Sequence, residues 1–137
     1  MQSENVNQSE ITASNLSEKE PYRMALCIND DLKMTKGKAM AQCAHAAVGV
    51  YESYFGTRKS AFEAWEKQGK HISIFKITDG NALESLGETA ENCGLITCLV
   101  RDAGRTQIPS GSMTVLAIGP ALKSELECLT QYLLPYT

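Results

Sequence analysis

The sequence predicts an α/β fold, a three-layer α/β/α arrangement around a small mixed four-stranded sheet. Short apolar runs of strand length alternate with longer segments of helical spacing, in the order βααβαββα. Helices therefore separate most of the strands, which places helices on both faces of the sheet. With 137 residues, of which 43% are hydrophobic, the chain can bury the core of one such domain.

The first strand and the first helix lie on either side of a polar turn. The run YRMALCI at 22–28 has the length of a buried strand, and NDDLKMTKG interrupts it. Apolar residues then recur at intervals of three and four over 36–55, with Thr35 as the N-cap, which predicts a helix. The side chains expected on its buried stripe are Met40, Cys43, Ala44, Ala47, Val48 and Tyr51.

The middle of the chain continues the alternation. A short helix at 58–69 is followed by HISIFKI at 71–77, a β-branched run that predicts a strand. A third helix begins after a cap at Asp79 or Asn81 and ends at Gly94.

The last part of the chain contains two strands and a helix. The runs LITCLV at 95–100 and MTVLAIG at 113–119 predict strands, and the link between them is too short for a helical crossover, so they are expected to be antiparallel neighbours. Pro120 is expected to open the final helix, because a first helical residue needs no N–H. The leucines at helical spacing there are Leu122, Leu126, Leu129 and Leu133.

Charge divides the chain into a tail and a body. Residues 1–20 are polar and carry four glutamates against one lysine, so we expect a disordered acidic tail before a single domain at 21–137. That domain is neutral, with 12 acidic and 12 basic residues. The tail lacks the apolar core of a signal peptide, and no apolar run approaches the about 20 residues of a membrane span, so no membrane attachment is expected.

The cysteine pattern argues against metal binding and disulfides. Five cysteines and two histidines form no Cys-x-x-Cys pair and no zinc spacing. An odd number of cysteines in apolar segments is typical of reduced thiols in a cytoplasmic protein. We therefore expect a cytoplasmic protein with reduced cysteines and no zinc site.

A polar stripe is expected on the first helix, opposite its apolar stripe. Lys38, Gln42, His45 and Gly49 follow at intervals of four, three and four. Small neighbours such as Ala41 leave the backbone open to a ligand or a partner subunit. Each residue also has an ordinary interpretation, because Lys38 can be a surface lysine and His45 a capping or dimer-contact histidine.

The link RDAGRTQIPSGS at 101–112 is the second candidate region, because it is longer than a hairpin requires. Asp102 follows an apolar strand and lies between Arg101 and Arg105, so it is expected to be ionised and able to orient a water molecule. A salt bridge from Asp102 to Arg105 that only braces the loop is an equal alternative. Phosphate-binding, serine-esterase and zinc-protease motifs are absent from the sequence.

The segments DLKMTKGKAMAQCAHA at 31–46 and RDAGRTQIPSGSMTVLAIGPA at 101–121 together resemble the signature of the archaeal and eukaryotic type of peptidyl-tRNA hydrolase. The resemblance covers essentially 22–137. It implies a mixed four-stranded sheet, usually in a homodimer, and cleavage of the ester between a peptide and the 3′ ribose of tRNA without a metal or cofactor. Many eukaryotic members begin with an apolar anchor, whereas residues 1–20 here are polar.

The resemblance also implies roles for residues. The catalytic candidates are Lys38, Asp102, Thr106, Thr114 and His45, and the candidates for binding substrate or tRNA are Lys33, Lys36, Gln42, Arg101, Arg105 and Gln107. Asp102 is expected to orient or deprotonate water, with His45 as the competing base, while Lys38 and the hydroxyls stabilise developing charge. The basic residues are expected to hold phosphates of the acceptor stem and 3′ end.

Two other classes of function remain open at this point. The chain could be a non-catalytic module of the same fold that binds tRNA or a protein. It could also hydrolyse another acyl or phosphate ester, for which the basic flank would be unnecessary. The combination of Lys38, Asp102, Thr106 and Thr114 favours the enzyme, because a binding module has little need for all four residue types.

Overall fold

The computed structural model describes residues 20–54, 56, 58–104 and 108–137. The described chain forms five strands and four helices, in the order βααβαββαβ, with a short 3₁₀ turn at Asp30–Leu32. The strands are β1 (Tyr22–Asn29), β2 (Ile72–Ile77), β3 (Thr97–Arg101), β4 (Met113–Leu122) and β5 (Leu134–Pro135). The helices are α1 (Lys36–Glu52), α2 (Lys59–Lys67), α3 (Gly80–Asn92) and α4 (Lys123–Thr130).

The strands form one mixed sheet in the order β3-β4-β1-β2-β5. Strands β1 and β2 are parallel, and the other neighbouring pairs are antiparallel, including the predicted pair β3 and β4. The prediction of four strands was one short, because β5 pairs with β2 through only two residues and is too brief to show a periodic pattern.

Two apolar clusters confirm the three-layer arrangement. On one face of the sheet, α1 and α2 pack through residues such as Val50 and Trp65 against β1 and β4. On the other face, α3 and α4 pack through residues such as Leu83 and Leu126. Alternate residues of β1 belong to opposite clusters, as the twofold period of a strand requires.

The predicted buried stripe of α1 was right for Cys43 and Ala47, which are buried and half-buried, and wrong for its other four residues. Met40, Ala44 and Val48 are exposed, and Tyr51 is 41% exposed, although all four were expected on the buried stripe. The buried side of the helix instead consists of Ala39, Gln42, Cys43, Ala46, Gly49 and Val50. Small residues occur on both sides of α1, so the spacing of apolar residues is consistent with burial of either side. The sheet packs against the side whose small residues allow the closer approach. The expected outward position of Gln42 and Gly49 was therefore also wrong.

The predicted start of the last helix at Pro120 was wrong as well. Strand β4 continues through Pro120 to Leu122, and α4 begins at Lys123. Met24 of β1 stands opposite two residues of β4, Gly119 and Pro120, so the strand contains a bulge there. A bulge accommodates proline in a central strand, because its residues need not complete the ladder.

Candidate active site

A lysine and an aspartate from distant parts of the chain meet at one end of the sheet. The Nζ atom of Lys38 lies 2.7 Å from Oδ1 of Asp102. The side chains are 18% and 1% exposed, so the aspartate is buried and the lysine keeps limited access to solvent. Lys38 is in the first turn of α1, which Thr35 caps by accepting the N–H of Lys38, as predicted. The structure thus brings together the two principal candidates.

The backbone around Asp102 fixes its carboxylate. Its N–H donates to the carbonyl of Ser112 at 2.8 Å, and its carbonyl accepts the N–H of Gly111 at 2.9 Å. The carboxylate atom Oδ2 accepts the N–H of Gly104 at 2.9 Å, which leaves Oδ1 for Lys38. Backbone hydrogen bonds therefore hold Asp102 in place just after β3. Both of its carboxylate oxygens accept charge-assisted hydrogen bonds, Oδ1 from Lys38 and Oδ2 from Gly104.

A second pair lies behind the first and is fully inside the protein. The hydroxyl of Thr114 on β4 is 2.7 Å from Oε1 of Gln42 and 3.1 Å from the carbonyl of Val100. Thr114 is 0% exposed and Gln42 is 7% exposed. Because a hydroxyl has one proton, Thr114 donates to one of these acceptors at a time. The pair joins α1 to β3 and β4, one helical turn beyond Lys38.

Asn29 is a buried polar residue at this end of the sheet that the sequence analysis missed. Its Nδ2 donates to the carbonyl of Met113 at 2.8 Å, and its Oδ1 accepts the N–H of Asp31 at 3.0 Å. Asn29 therefore ties the end of β1 to the start of β4, the strand that pairs with β3 just before Asp102. An asparagine that ends an apolar strand and precedes two aspartates was the available signal.

The remaining candidates lie on the surface or outside the described residues. Lys33 and Lys36 are exposed just before and at the start of α1, and Lys33 Nζ lies 3.2 Å from Asp30. Arg101 donates to the carbonyl of Gly111 at 3.2 Å. His45 is exposed on α1, two turns beyond Lys38. The candidates outside the described residues are Arg105, Thr106 and Gln107.

Cys43 adjoins the site but is not suited to act as a nucleophile. Burial raises the pKa of its thiol to about 11, and burial raises the pKa of Cys27 to about 12. Both groups are thus protonated near neutral pH, and the thiolate is the reactive form. Among the described residues, no three histidine, cysteine or acidic side chains are grouped so that they could hold a metal ion. No helix in this part of the chain is long and apolar enough to cross a membrane.

The three-layer fold and the contact between the partly accessible Lys38 and the buried Asp102 define a small α/β protein with a site of the kind that enzymes use. The family model of "Peptidyl-tRNA hydrolase PTH2" matches residues 22–136. The chain belongs to this family and is, by that membership, a peptidyl-tRNA hydrolase.

Curated relatives from animals and archaea match most of the chain. It is 41% identical over 127 residues to "Peptidyl-tRNA hydrolase 2, mitochondrial" of Bos taurus, covering 93% of this chain and 71% of the relative. It is 40% identical over 112 residues to "Probable peptidyl-tRNA hydrolase 2" of Drosophila melanogaster, covering 82% and 60%. It is 37% identical over 112 residues to "Peptidyl-tRNA hydrolase" of Thermococcus onnurineus, covering 82% and 95%. The chain thus spans nearly all of the archaeal relative and about three fifths of the insect one.

Proposed function

We propose that the chain cleaves the ester between a peptide and the 3′ ribose of tRNA at the Lys38–Asp102 pair, releasing tRNA and peptide for recycling. The observation that carries this proposal is the 2.7 Å contact between an almost fully buried carboxylate and a partly accessible ammonium group. Charged groups that the fold fixes in place beforehand stabilise a transition state without having to reorganise when it forms.

The chemistry requires little more than a positioned water molecule, because the ester is already activated. The water oxygen bonds to the carbonyl carbon, the bond to the ribose oxygen breaks, and the water proton ends on that oxygen. In our proposal Asp102 orients the water and accepts the proton transiently, while the Lys38 ammonium stabilises the negative charge that develops on the carbonyl oxygen. His45 is the competing proton acceptor, and its exposed position on α1 would let it reach a bound substrate.

Thr106 and Thr114 have different roles in this proposal. Thr106 keeps the predicted role of a hydroxyl donor to the substrate. The burial of Thr114 and its contact with Gln42 support a positioning role, in which Thr114 holds Gln42 and the first turns of α1 against the sheet. Gln42 is then part of this support, because its amide oxygen faces Thr114 inside the protein.

Basic residues around the site are proposed to hold the phosphates of the acceptor stem and 3′ end. Exposure of Lys33 and Lys36 beside Lys38 supports this role, as does Arg101 next to Asp102. Arg105 and Gln107 retain the same predicted role. Such contacts are independent of sequence and weaken with salt.

Release of N-acetyl-amino acid from N-acetyl-aminoacyl-tRNA is expected, with a KM that rises steeply between low and physiological salt while kcat changes little. The reason is that phosphate contacts are screened by counterions, whereas the reacting pair is buried. Initial rates over a salt series measure both constants. Binding of tRNA without turnover would contradict the proposal and favour the non-catalytic module.

We further propose that the protein is a homodimer and that α1 forms part of its interface. Met40, Ala44, Val48 and Tyr51 form an exposed apolar line along α1, with Met40 68% exposed and Val48 58% exposed. An exposed line of large apolar side chains is typical of an interaction surface. Because Lys38 lies in the first turn of the same helix, such an interface would set the two sites at a fixed separation.

The Val48→Glu variant is expected to sediment as a monomer at concentrations where the wild-type protein is a dimer, because a carboxylate would be buried without a partner. Sedimentation velocity over a concentration series makes this measurement. Tyr132→Glu is the matched control, since Tyr132 is 90% exposed away from α1. A monomeric wild-type protein, or a dimeric Val48→Glu protein, would contradict the interface.

We also propose that the protein acts in the cytoplasm and that residues 1–20 are a tail that joins the catalytic domain at Glu20, whose carboxylate accepts the backbone N–H of Ser124 at 3.0 Å. The free cysteines of the described residues support a reducing compartment, which the mitochondrial matrix also provides. The bovine relative is named as mitochondrial. Microscopy of the fluorescently tagged chain beside a mitochondrial marker separates the two compartments, and overlap with the marker would contradict the cytoplasmic proposal.

A further inference from the structure

Asn29 ends β1, and its side chain bonds to both of the chain segments that lead to the proposed catalytic pair. The residue is 4% exposed. Its Oδ1 accepts the N–H of Asp31 at 3.0 Å, in the turn that leads to α1 and Lys38. Its Nδ2 donates to the carbonyl of Met113 at 2.8 Å, at the start of β4. One buried amide therefore connects the approach to the lysine with the approach to the aspartate.

An ordinary capping role accounts for only one of these two contacts. A helix N-cap needs a side-chain oxygen that accepts a backbone N–H, and Thr35 and Asp79 provide that oxygen for α1 and α3. Asn29 provides it for the 3₁₀ turn after β1. The amide of Asn29 also donates from a second atom, and that donor contacts β4, which capping does not require.

The carbonyl of Met113 lies where the regular pairing of β4 is interrupted on both sides. The registered pairing of β4 with β1 ends at Val115. The register of β4 against β3 shifts at Thr114, which is the extra residue of a bulge. Because a bulge disrupts the ladder locally, this part of β4 needs another support. The Asn29 amide supplies that support at the residue next to the bulge.

The start of β4 in turn holds Asp102. The N–H of Asp102 donates at 2.8 Å to the carbonyl of Ser112, the residue before Met113. The residue after Met113 is Thr114, whose hydroxyl contacts α1. Because these three residues are consecutive, a displacement of Met113 moves both neighbours. Such a displacement therefore changes the position of Asp102 relative to Lys38.

We propose that Asn29 is a positioning residue of the hydrolytic site, which keeps Lys38 and Asp102 at contact distance without touching the substrate. This inference rests on the proposed function, because the pair is the proposed site of ester cleavage. The Oδ1 atom fixes the turn before the lysine, and the Nδ2 atom fixes the start of the strand that holds the aspartate. Misplacement of reacting groups by about 1 Å can cost about 10²-fold in rate.

Asn29→Ser is expected to lower kcat about 10- to 100-fold and to leave KM unchanged. Serine keeps an oxygen that can cap the turn at Asp31, but its side chain is too short to reach the carbonyl of Met113. Surface contacts to tRNA phosphates are unaffected, so single-turnover rates measure the change in the chemical step. Asn29→Ala removes both hydrogen bonds and is expected to lower kcat further. A wild-type kcat in Asn29→Ala would overturn the proposal.

Thr130→Val is the matched control for the loss of a buried hydrogen bond. Thr130 is 5% exposed on α4, and its hydroxyl donates to the carbonyl of Leu126 at 2.9 Å. Helix α4 packs on the face of the sheet opposite α1. Thr130→Val is expected to unfold at a lower urea concentration than the wild type, as Asn29→Ser does, but to keep the wild-type kcat. If kcat fell equally in both variants, the loss of stability would explain the effect and the positioning role would fail.

A double variant distinguishes positioning from general destabilisation. In the Lys38→Met protein the pair is already broken, so adding Asn29→Ser is expected to lower kcat by no more than about twofold. The same large loss in the wild-type and Lys38→Met backgrounds would overturn the proposal, because Asn29 would then act through something other than the pair.

Amide hydrogen exchange separates this inference from the proposed function, because it requires no turnover. Asn29→Ser is expected to raise the exchange rate of the Asp102 N–H about tenfold relative to that of Leu26 in the middle of β1. If the wild type releases no peptide but this local change occurs, the proposed function fails and the positioning of Asp102 stands. If hydrolysis proceeds and the ratio of the two exchange rates is unchanged, the inference fails and the proposed function stands.

Discussion

Lys38→Met is expected to lower kcat for peptidyl-tRNA hydrolysis by about 10²–10³-fold, the usual cost of removing one held charge from a transition state. Methionine nearly preserves the length and apolar stem of lysine, so packing of the first turn of α1 is retained. The ammonium that lies 2.7 Å from Asp102 is lost, and with it the proposed stabilisation of the carbonyl oxygen. Single-turnover rates on N-acetyl-aminoacyl-tRNA, at saturating enzyme, measure this loss separately from tRNA binding.

Asp102→Asn tests whether the two residues act as a unit. If they do, the double variant is expected to lose little more activity than Lys38→Met alone, because effects within a catalytic unit are not additive. Lys67→Ala removes an exposed lysine at the end of α2 and serves as the control for loss of a positive charge. Full activity in Lys38→Met with normal folding by circular dichroism would remove Lys38 from the mechanism. A large loss of binding with an unchanged single-turnover rate would instead assign it to phosphate contact.

Gly119→Ala is expected to lower the free energy of unfolding by about 3 kcal/mol or more, from positive-φ strain together with overpacking. Gly119 has φ +108°, which strains any residue with a side chain. An added Cβ would lie 2.9 Å from the carbonyl oxygen of Arg23 and 3.0 Å from the backbone nitrogen of Ala121. Both are backbone atoms of paired strands and cannot turn aside. Urea unfolding followed by circular dichroism gives the change.

Gly37→Ala is the matched control for that substitution. Gly37 lies in the first turn of α1, and an added Cβ there would meet no atom within 4 Å. The same chemical change is therefore expected to stabilise the protein by about 0.5–1 kcal/mol, through helix propensity and the unfolded chain. If both variants unfolded at the same urea concentration, the close approach at Gly119 would not matter for stability.

The layers of the fold were predictable because they depend on the alternation of strands and helices along the whole chain. Which face of α1 packs against the sheet was not predictable. Alanine fits either side of a helix, and α1 contains alanines on both. Gln42 looks like a surface residue in the sequence, yet its burial is offset by the hydroxyl of Thr114, which is 72 residues away. Such a partner becomes visible only when the sheet is assembled.

Pro120 is a second position at which contacts between distant segments override a local sequence signal. A proline after an apolar run is a sound signal for a helix start, and α4 does begin three residues later. The residue lies instead in a bulge of β4, opposite Met24, a pairing that no local pattern encodes.

The candidate site was predicted in part from spacing and loop length. Helical spacing singled out Lys38, and the long link after β3 singled out Asp102, and the structure brings these two side chains together. The alternative in which Asp102 pairs with Arg105 involves a residue outside the described chain. The position of Asn29 at the end of an apolar strand marks it as a turn residue, but its role as a tie between strands could not be predicted, because its partner is the backbone carbonyl of Met113.

The sheet order has a consequence for when activity can arise. Lys38 and Asp102 are 64 residues apart, and β3 reaches β1 only through β4, which ends at Leu122. Neither a local hairpin nor an isolated α1 can bring the pair together, so it forms only when contacts between distant segments have closed. A growing chain of this protein therefore has no means of assembling the pair until β4 has been synthesised, and regained activity during refolding reports that β3, β4 and β1 have paired.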